Sequence, residues 1–84
     1  MKTLKDIKTI GENFLTKNDK ICILNFINTN SNLFEKNFSE TLKFNLTHRN
    51  TFLTIFIKDK NTISIEKSVN NENNYLYKSF ITIK

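Results

Sequence analysis

The chain has 84 residues and a formal net charge of +5 at pH 7, from 13 lysines and arginines against eight acidic residues. This length excludes more than one domain and lies near the lower limit for a self-sufficient hydrophobic core. One cysteine and one histidine exclude an internal disulfide and a structural zinc site, so we expect no cofactor. No apolar run approaches the ~20 residues that cross a bilayer, so no membrane span is expected.

The first half of the chain is predicted to hold one helix followed by one strand. Apolar residues recur at steps of three and four, which favours an N-terminal helix over residues 1–18. Thr3 and Asp6 resemble a capping box at its start. The segment KICILNFIN, residues 20–28, is a short β-branched apolar run and favours a strand, with Cys22 packed as a small hydrophobe.

The second half is predicted to be a three-strand meander over residues 42–69, followed by a last strand over 75–83. Residues 51–58 are apolar on both faces, so this strand is expected at the centre of the sheet, covered on both sides. The expected fold class is α+β. An N-terminal helix packs on an antiparallel-rich sheet of about four to five strands, in one small domain of residues 1–84.

Residue usage indicates the kind of genome that encodes the chain. Phe, Ile, Asn, Lys, Tyr and Met make up more than half of the sequence, whereas Ala and Pro are absent and Gly and Arg occur once each. The abundant residues have AT-rich codons, and the scarce ones need GC-rich codons. This bias favours an organelle, an AT-rich bacterium, a phage of such a host or an AT-rich eukaryote. The bias explains part of the lysine content, but a basic chain attracts phosphate whatever its origin.

Enzymatic chemistry is not indicated by the residues present. His48 is the only histidine, and nothing in the spacing marks a nucleophile or an acid to accompany it. A single glycine excludes a glycine-rich phosphate loop. We therefore expect a protein that is not an enzyme and has no small-molecule substrate.

The two turns of the meander carry basic and polar side chains, which are the groups that hold an RNA backbone. Asn and Lys are also ordinary turn and surface residues, which is the alternative interpretation of the same positions. The candidate RNA-binding residues are His48, Arg49, Asn50 and Thr51 at the first turn, and Lys58, Lys60 and Asn61 at the second.

Residues 48–68, HRNTFLTIFIKDKNTISIEKS, resemble the strand core of the small ribosomal subunit protein eleven family. That family carries a pattern close to F-N-N-T-I-V-T-I-T-D-x-x-G-N-x-I-x-W-x-S-A-G. The resemblance covers roughly a quarter of the chain. The matching positions are Asn50, Thr51, Thr54, Ile55, Asn61 and Ile63, and the departures are Arg49, Ile57, Lys60 and residues 67–69.

The resemblance implies a structural role in a small ribosomal subunit, with rRNA and neighbouring ribosomal proteins as partners and no catalysis. The neighbouring proteins would cover the second face of the central strand. The family continues with a basic segment and a helix, so a truncated or split form is expected here, encoded and located in a mitochondrion. The alternative is a small protein–protein interaction module, such as a phage-encoded inhibitor of a host defence complex or an accessory subunit of an organellar complex.

Overall fold

In the part of the chain that the structure describes, one α-helix and five antiparallel strands form an α+β fold. The computed structural model describes residues 1–10, 14–35, 40–57, 59, 61–69 and 77–83. No helix among these residues is long and apolar enough to cross a membrane. The elements are a 3-10 turn at Leu4–Asp6, β1 at Ile7–Ile10, α1 at Lys17–Thr29, a 3-10 turn at Ser31–Glu35, β2 at Leu42–His48, β3 at Thr51–Ile57, β4 at Thr62–Val69 and β5 at Tyr77–Ile83.

The strands lie in the order β1-β5-β4-β3-β2, and every neighbouring pair is antiparallel. Strands β2, β3 and β4 pair consecutively, which confirms the meander predicted for residues 42–69. Strand β5 occupies 77–83 of the predicted last strand, whose first two residues lie outside the described part of the chain. Strand β3 is an interior strand, but β4 is the central one. The predicted cover on both sides of β3 is not found in the described part of the chain, since Phe52 is 46% exposed.

The face of the sheet covered by α1, the inner face, holds most of the hydrophobic core. Its residues come from alternate positions of the strands, because successive side chains point to opposite faces. Ile55, Ile65 and Ile81, from three adjacent strands, are fully buried. The buried core residues are Leu53, Ile55, Ile57, Ile63, Ile65, Ile81 and Ile83 from the sheet, with Leu15, Ile23 and Ile27 from α1 and the segment before it.

The prediction of a strand over residues 20–28 is wrong, because these residues lie in α1. An apolar run of this length does not by itself distinguish a strand from a buried helix. The helical period decides it here, since Asp19, Ile23 and Ile27 follow at steps of four and are all buried. Cys22 is partly buried and packs against the core from this helix.

The N-terminal helix predicted over residues 1–18 is also wrong. Its first part is a 3-10 turn, in which the Thr3 backbone N–H donates to Asp6 Oδ2 at 2.8 Å. Residues Ile7–Ile10 form β1, whose backbone pairs with β5 at the edge of the sheet. A spacing of three residues puts Ile7 and Ile10 on opposite faces of this strand, so Ile10 is 48% exposed.

Candidate nucleic-acid interface

The first predicted turn is a tight hairpin between β2 and β3. His48 and Thr51 are opposite each other in the register, so Arg49 and Asn50 alone form the loop. Arg49 has a φ of 52°, in the left-handed region that two-residue hairpin turns use at their first position. The Arg49 and Asn50 side chains are both exposed and accessible to a ligand, whereas Thr51 is partly buried at the start of β3.

The second predicted turn lies at the opposite end of β3. Its seven-residue length separates the two turns by about 20 Å. Asn61 is exposed, and its backbone N–H donates to Asp59 Oδ1 at 2.8 Å, which closes a local turn. Lys58 and Lys60 lie outside the described residues. The fold therefore does not bring the described residues of the two turns together, and their contact with RNA stays a prediction.

His48 belongs to a cluster of ionisable side chains beneath the sheet, the buried charge cluster, formed by Asp19, His48 and Lys67. His48 Nε2 lies 2.5 Å from Asp19 Oδ1, and Lys67 Nζ donates to Asp19 Oδ2 at 2.6 Å. The Asp19 side chain is 1% exposed, against 21% for His48 and 10% for Lys67. The cluster therefore joins the start of α1 to the ends of β2 and β4.

Asp19 also caps α1. The Asp19 backbone N–H donates to Thr16 Oγ1 at 3.1 Å, and the Thr16 backbone N–H donates to Asp19 Oδ2 at 2.9 Å. These two bonds form a capping box and satisfy backbone donors at the helix start. Lys67 Nζ makes a further bond to the Phe14 carbonyl oxygen at 3.0 Å. Among the described residues, no buried side-chain nitrogen or oxygen is left without a hydrogen-bond partner.

The electrostatics of the cluster favour ionised Asp19. Burial raises the pKa of a carboxyl group, but hydrogen bonds from Lys67, the Thr16 backbone and His48 outweigh burial, so the pKa of Asp19 is lowered. The same carboxylate contributes to the raised pKa of Cys22, whose larger cause is burial of the thiol. Because three donors already occupy the Asp19 oxygens, we interpret the cluster as a structural link between helix and sheet.

The opposite side of the sheet, the open face, has a different composition. No described element packs across it, and it mixes aromatic, basic and hydroxyl side chains. Phe52 is 46% exposed and Phe80 is 51% exposed. The described open-face residues are Lys8 and Ile10 of β1, Lys43, Asn45 and Thr47 of β2, Phe52, Thr54 and Phe56 of β3, Thr62, Ser64, Glu66 and Ser68 of β4, and Lys78, Phe80 and Thr82 of β5.

The open face carries three lysines and one acidic residue among its described positions. Lys78 Nζ lies 3.7 Å from Glu66 Oε2, so the acidic residue is already paired. Lys43 Nζ lies 6.0 Å from the centre of the Phe56 ring, at the outer limit of a cation–π contact. A ligand on this face meets positive charge, exposed aromatic rings and hydroxyl groups.

Among the open-face residues and the buried charge cluster, His48 alone was a candidate from the sequence, and it was expected to bind RNA rather than Asp19. Residues 51–58 are apolar on both faces, so the sequence predicts a cover on both sides and does not indicate that Phe52 and Phe56 lie on a face that no described element covers. Asp19 had one local signal, the spacing Thr16-x-x-Asp19 of a capping box. Its bonds to His48 and Lys67 had no signal, because the three residues are far apart in the chain.

Comparison with protein-family models, with curated proteins and with solved structures found no match to this chain. No group of three or more His, Cys, Asp or Glu side chains that could hold a metal ion occurs in the described residues.

Proposed function

We propose that this chain is an RNA-binding protein without catalytic activity, and that the open face of its sheet is the binding surface. The observation that carries the proposal is the charge of that face. Lys8 and Lys43 are exposed there, and the acidic Glu66 is paired with Lys78. The overall charge of +5 adds a long-range attraction for polyphosphate.

RNA fits this face better than a protein partner does. Protein–protein interfaces are depleted of Lys, Ser and Glu at their centres, whereas the open face carries these residue types among its aromatic ones. Hydroxyl and amide side chains such as Asn45, Thr54 and Ser64 suit contacts with phosphate and 2′-hydroxyl groups. The exposed Arg49 and Asn50 extend the same polar and basic character to one end of the sheet.

The setting that we propose is a ribonucleoprotein, specifically a mitochondrial small ribosomal subunit in which rRNA is the ligand. The support for this setting is the resemblance of residues 48–68 to the small ribosomal subunit protein eleven family. The exposed hairpin residues Arg49 and Asn50 are consistent with it. Because the proposal assigns the second face of the predicted central strand to RNA, neighbouring proteins would pack against other parts of the chain and not against that face, which the resemblance assigns to them.

The test is the salt dependence of RNA binding for two double variants with equal charge. Lys8→Gln with Lys43→Gln removes two cations from the open face. Fluorescence anisotropy with a labelled oligouridylate of about ten nucleotides, within the size range of single-strand sites, gives the Kd. We expect weaker binding and a slope of log K against log salt that is smaller by about 1.4, or about 0.7 for each lost phosphate contact.

The matched control is Lys5→Gln with Lys17→Gln. Both lysines are exposed, Lys5 in the turn beside α1 and Lys17 in its first turn, away from the open face. This pair removes the same charge, so a merely basic chain would lose equal affinity in both variants. Equal losses, or no binding by the unaltered protein, would contradict the proposal. In the second case the open face would be assigned to a protein partner.

A further inference from the structure

The strand register places five open-face residues side by side in one row across the sheet. Lys43 is opposite Phe56, and Phe56 is opposite Ser64. Ser64 is opposite Phe80, and Phe80 is opposite Ile10. The aromatic row is therefore Lys43, Phe56, Ser64, Phe80 and Ile10, and it crosses every strand of the sheet.

The two aromatic rings in the row are spaced by one intervening strand. Adjacent strands lie 4.7–4.9 Å apart, so the Phe56 and Phe80 backbones are separated by about 9–10 Å. Ser64 stands between them and its short side chain leaves space above the sheet. Phe80 is 51% exposed and Phe56 is half-buried, so both rings belong to the surface.

We propose that the aromatic row binds unpaired nucleotides of a single strand, with one base stacked on Phe56 and another on Phe80. The inference rests on the proposed RNA-binding function and names the ligand as single-stranded rather than helical RNA. Every base has a π-face, so stacking on these rings is tolerant of sequence. Ser64 lies between the two bases, where its hydroxyl is placed to bond with a ribose or a base edge.

Charge determines on which side of the row the phosphates lie. The neighbouring row on one side contains Glu66, opposite Thr54 and Lys78, and the pairing of Glu66 with Lys78 leaves this row without net charge. The neighbouring row on the other side contains Lys8, opposite Thr82 and Thr62, with no acidic residue among its described members. The backbone of the strand is therefore placed on the Lys8 side, with Lys43 at the β2 end of the row.

A double-stranded RNA cannot stack its bases on the aromatic row. In A-form RNA the base faces are stacked on one another, and a protein meets only the backbone, the 2′-hydroxyl groups and a shallow groove. The rings of Phe56 and Phe80 would then contact sugar and phosphate groups and gain no stacking. The other rows offer no substitute among their described residues, since the Glu66 row has no aromatic residue there and the row through Phe52 has only one, between Thr47 and Ser68.

The experiment measures anisotropy-based Kd values for the unaltered protein with an oligoribonucleotide as a single strand and in a duplex. We expect the single strand to bind at least about tenfold more tightly than the duplex. This ratio corresponds to the binding free energy of roughly one base stacked on an aromatic ring. Phe56→Ala and Phe80→Ala are each expected to weaken single-strand binding roughly 5- to 150-fold and to leave duplex binding almost unchanged. Circular dichroism confirms that each variant is folded.

The matched control is Phe52→Ala, which removes an exposed phenylalanine of the same face outside the aromatic row. We expect its Kd for the single strand to stay within about threefold of the unaltered protein, since it removes no stack. Equal losses for Phe52 and Phe80 would overturn the aromatic row as the binding route. Equal affinity for single strand and duplex, with the lysine variants still weakened, would overturn this inference and leave RNA binding standing. Binding of neither RNA would overturn both.

Discussion

The two faces of the sheet are built from the same strands but differ in what their side chains can do. On β3, Leu53, Ile55 and Ile57 are buried on the inner face. Phe52 of the same strand lies on the open face and is 46% exposed. On β4, the inner-face Lys67 is buried and bonded to Asp19, while the open-face Glu66 has only a loose pair with Lys78. The inner face is therefore specialised for stability, and the open face retains groups that a fold does not need for its own core.

The largest expected effect comes from the inner-face charges. Asp19→Asn leaves Lys67 buried without a carboxylate, and breaking a buried pair in this way costs about 3–5 kcal/mol. Glu66→Gln is the open-face control, because exposed pairs contribute about 0–1 kcal/mol. Urea denaturation followed by circular dichroism gives both free energies of unfolding. Similar losses for the two variants would remove the distinction between the faces.

A second comparison uses apolar residues on one strand. Ile55 is fully buried on the inner face, so Ile55→Ala is expected to lower the free energy of unfolding by about 2–5 kcal/mol. Phe52→Ala removes a larger side chain that is already half in water, and a smaller loss is expected. The same denaturation assay measures both variants. A larger loss for Phe52 would show that the open face is covered.

The smallest expected effect is the dependence of stability on pH. The pKa of Asp19 is lowered in the folded state, because hydrogen bonds from Lys67, Thr16 and His48 outweigh the opposing effect of burial. The contribution of ionised Asp19 to the free energy of unfolding is fully present above the unfolded pKa of about 3.9. This contribution is lost as the pH falls through the lower pKa of the folded state. Urea denaturation between neutral and acid pH should show this loss. The Asp19→Asn variant should lack it, and an equal acid dependence in that variant would contradict the assignment.

The sequence predicted the meander and the last strand well, because alternation at a period of two is local information. Residues 42–69 and 77–83 show that alternation directly. The two errors lie in the first half, where local patterns are ambiguous. Residues 20–28 form an apolar run that suits a buried helix or a strand. Strand β1 exists because its backbone pairs with β5, about 70 residues later, which no local pattern reveals.

The candidate site was less predictable than the fold. The exposed hairpin residues Arg49 and Asn50 followed from turn chemistry. The aromatic row did not, since Phe56 and Phe80 become neighbours only through Ser64 of the intervening strand. A register shift by one residue would send every one of these side chains to the other face, so the surface depends on pairing that the sequence alone does not specify.

The most direct test of the central claim is a methyl NMR titration of the protein with a single-stranded oligouridylate. Methyl groups report on each face separately, with Ile10 and Thr54 on the open face and Ile55 and Ile81 on the inner face. We predict saturable shifts of the Ile10 and Thr54 methyl signals, while those of Ile55 and Ile81 stay almost unchanged. Shifts confined to methyl groups outside the open face, or no shift at saturating RNA, would contradict the assignment of RNA binding to the open face.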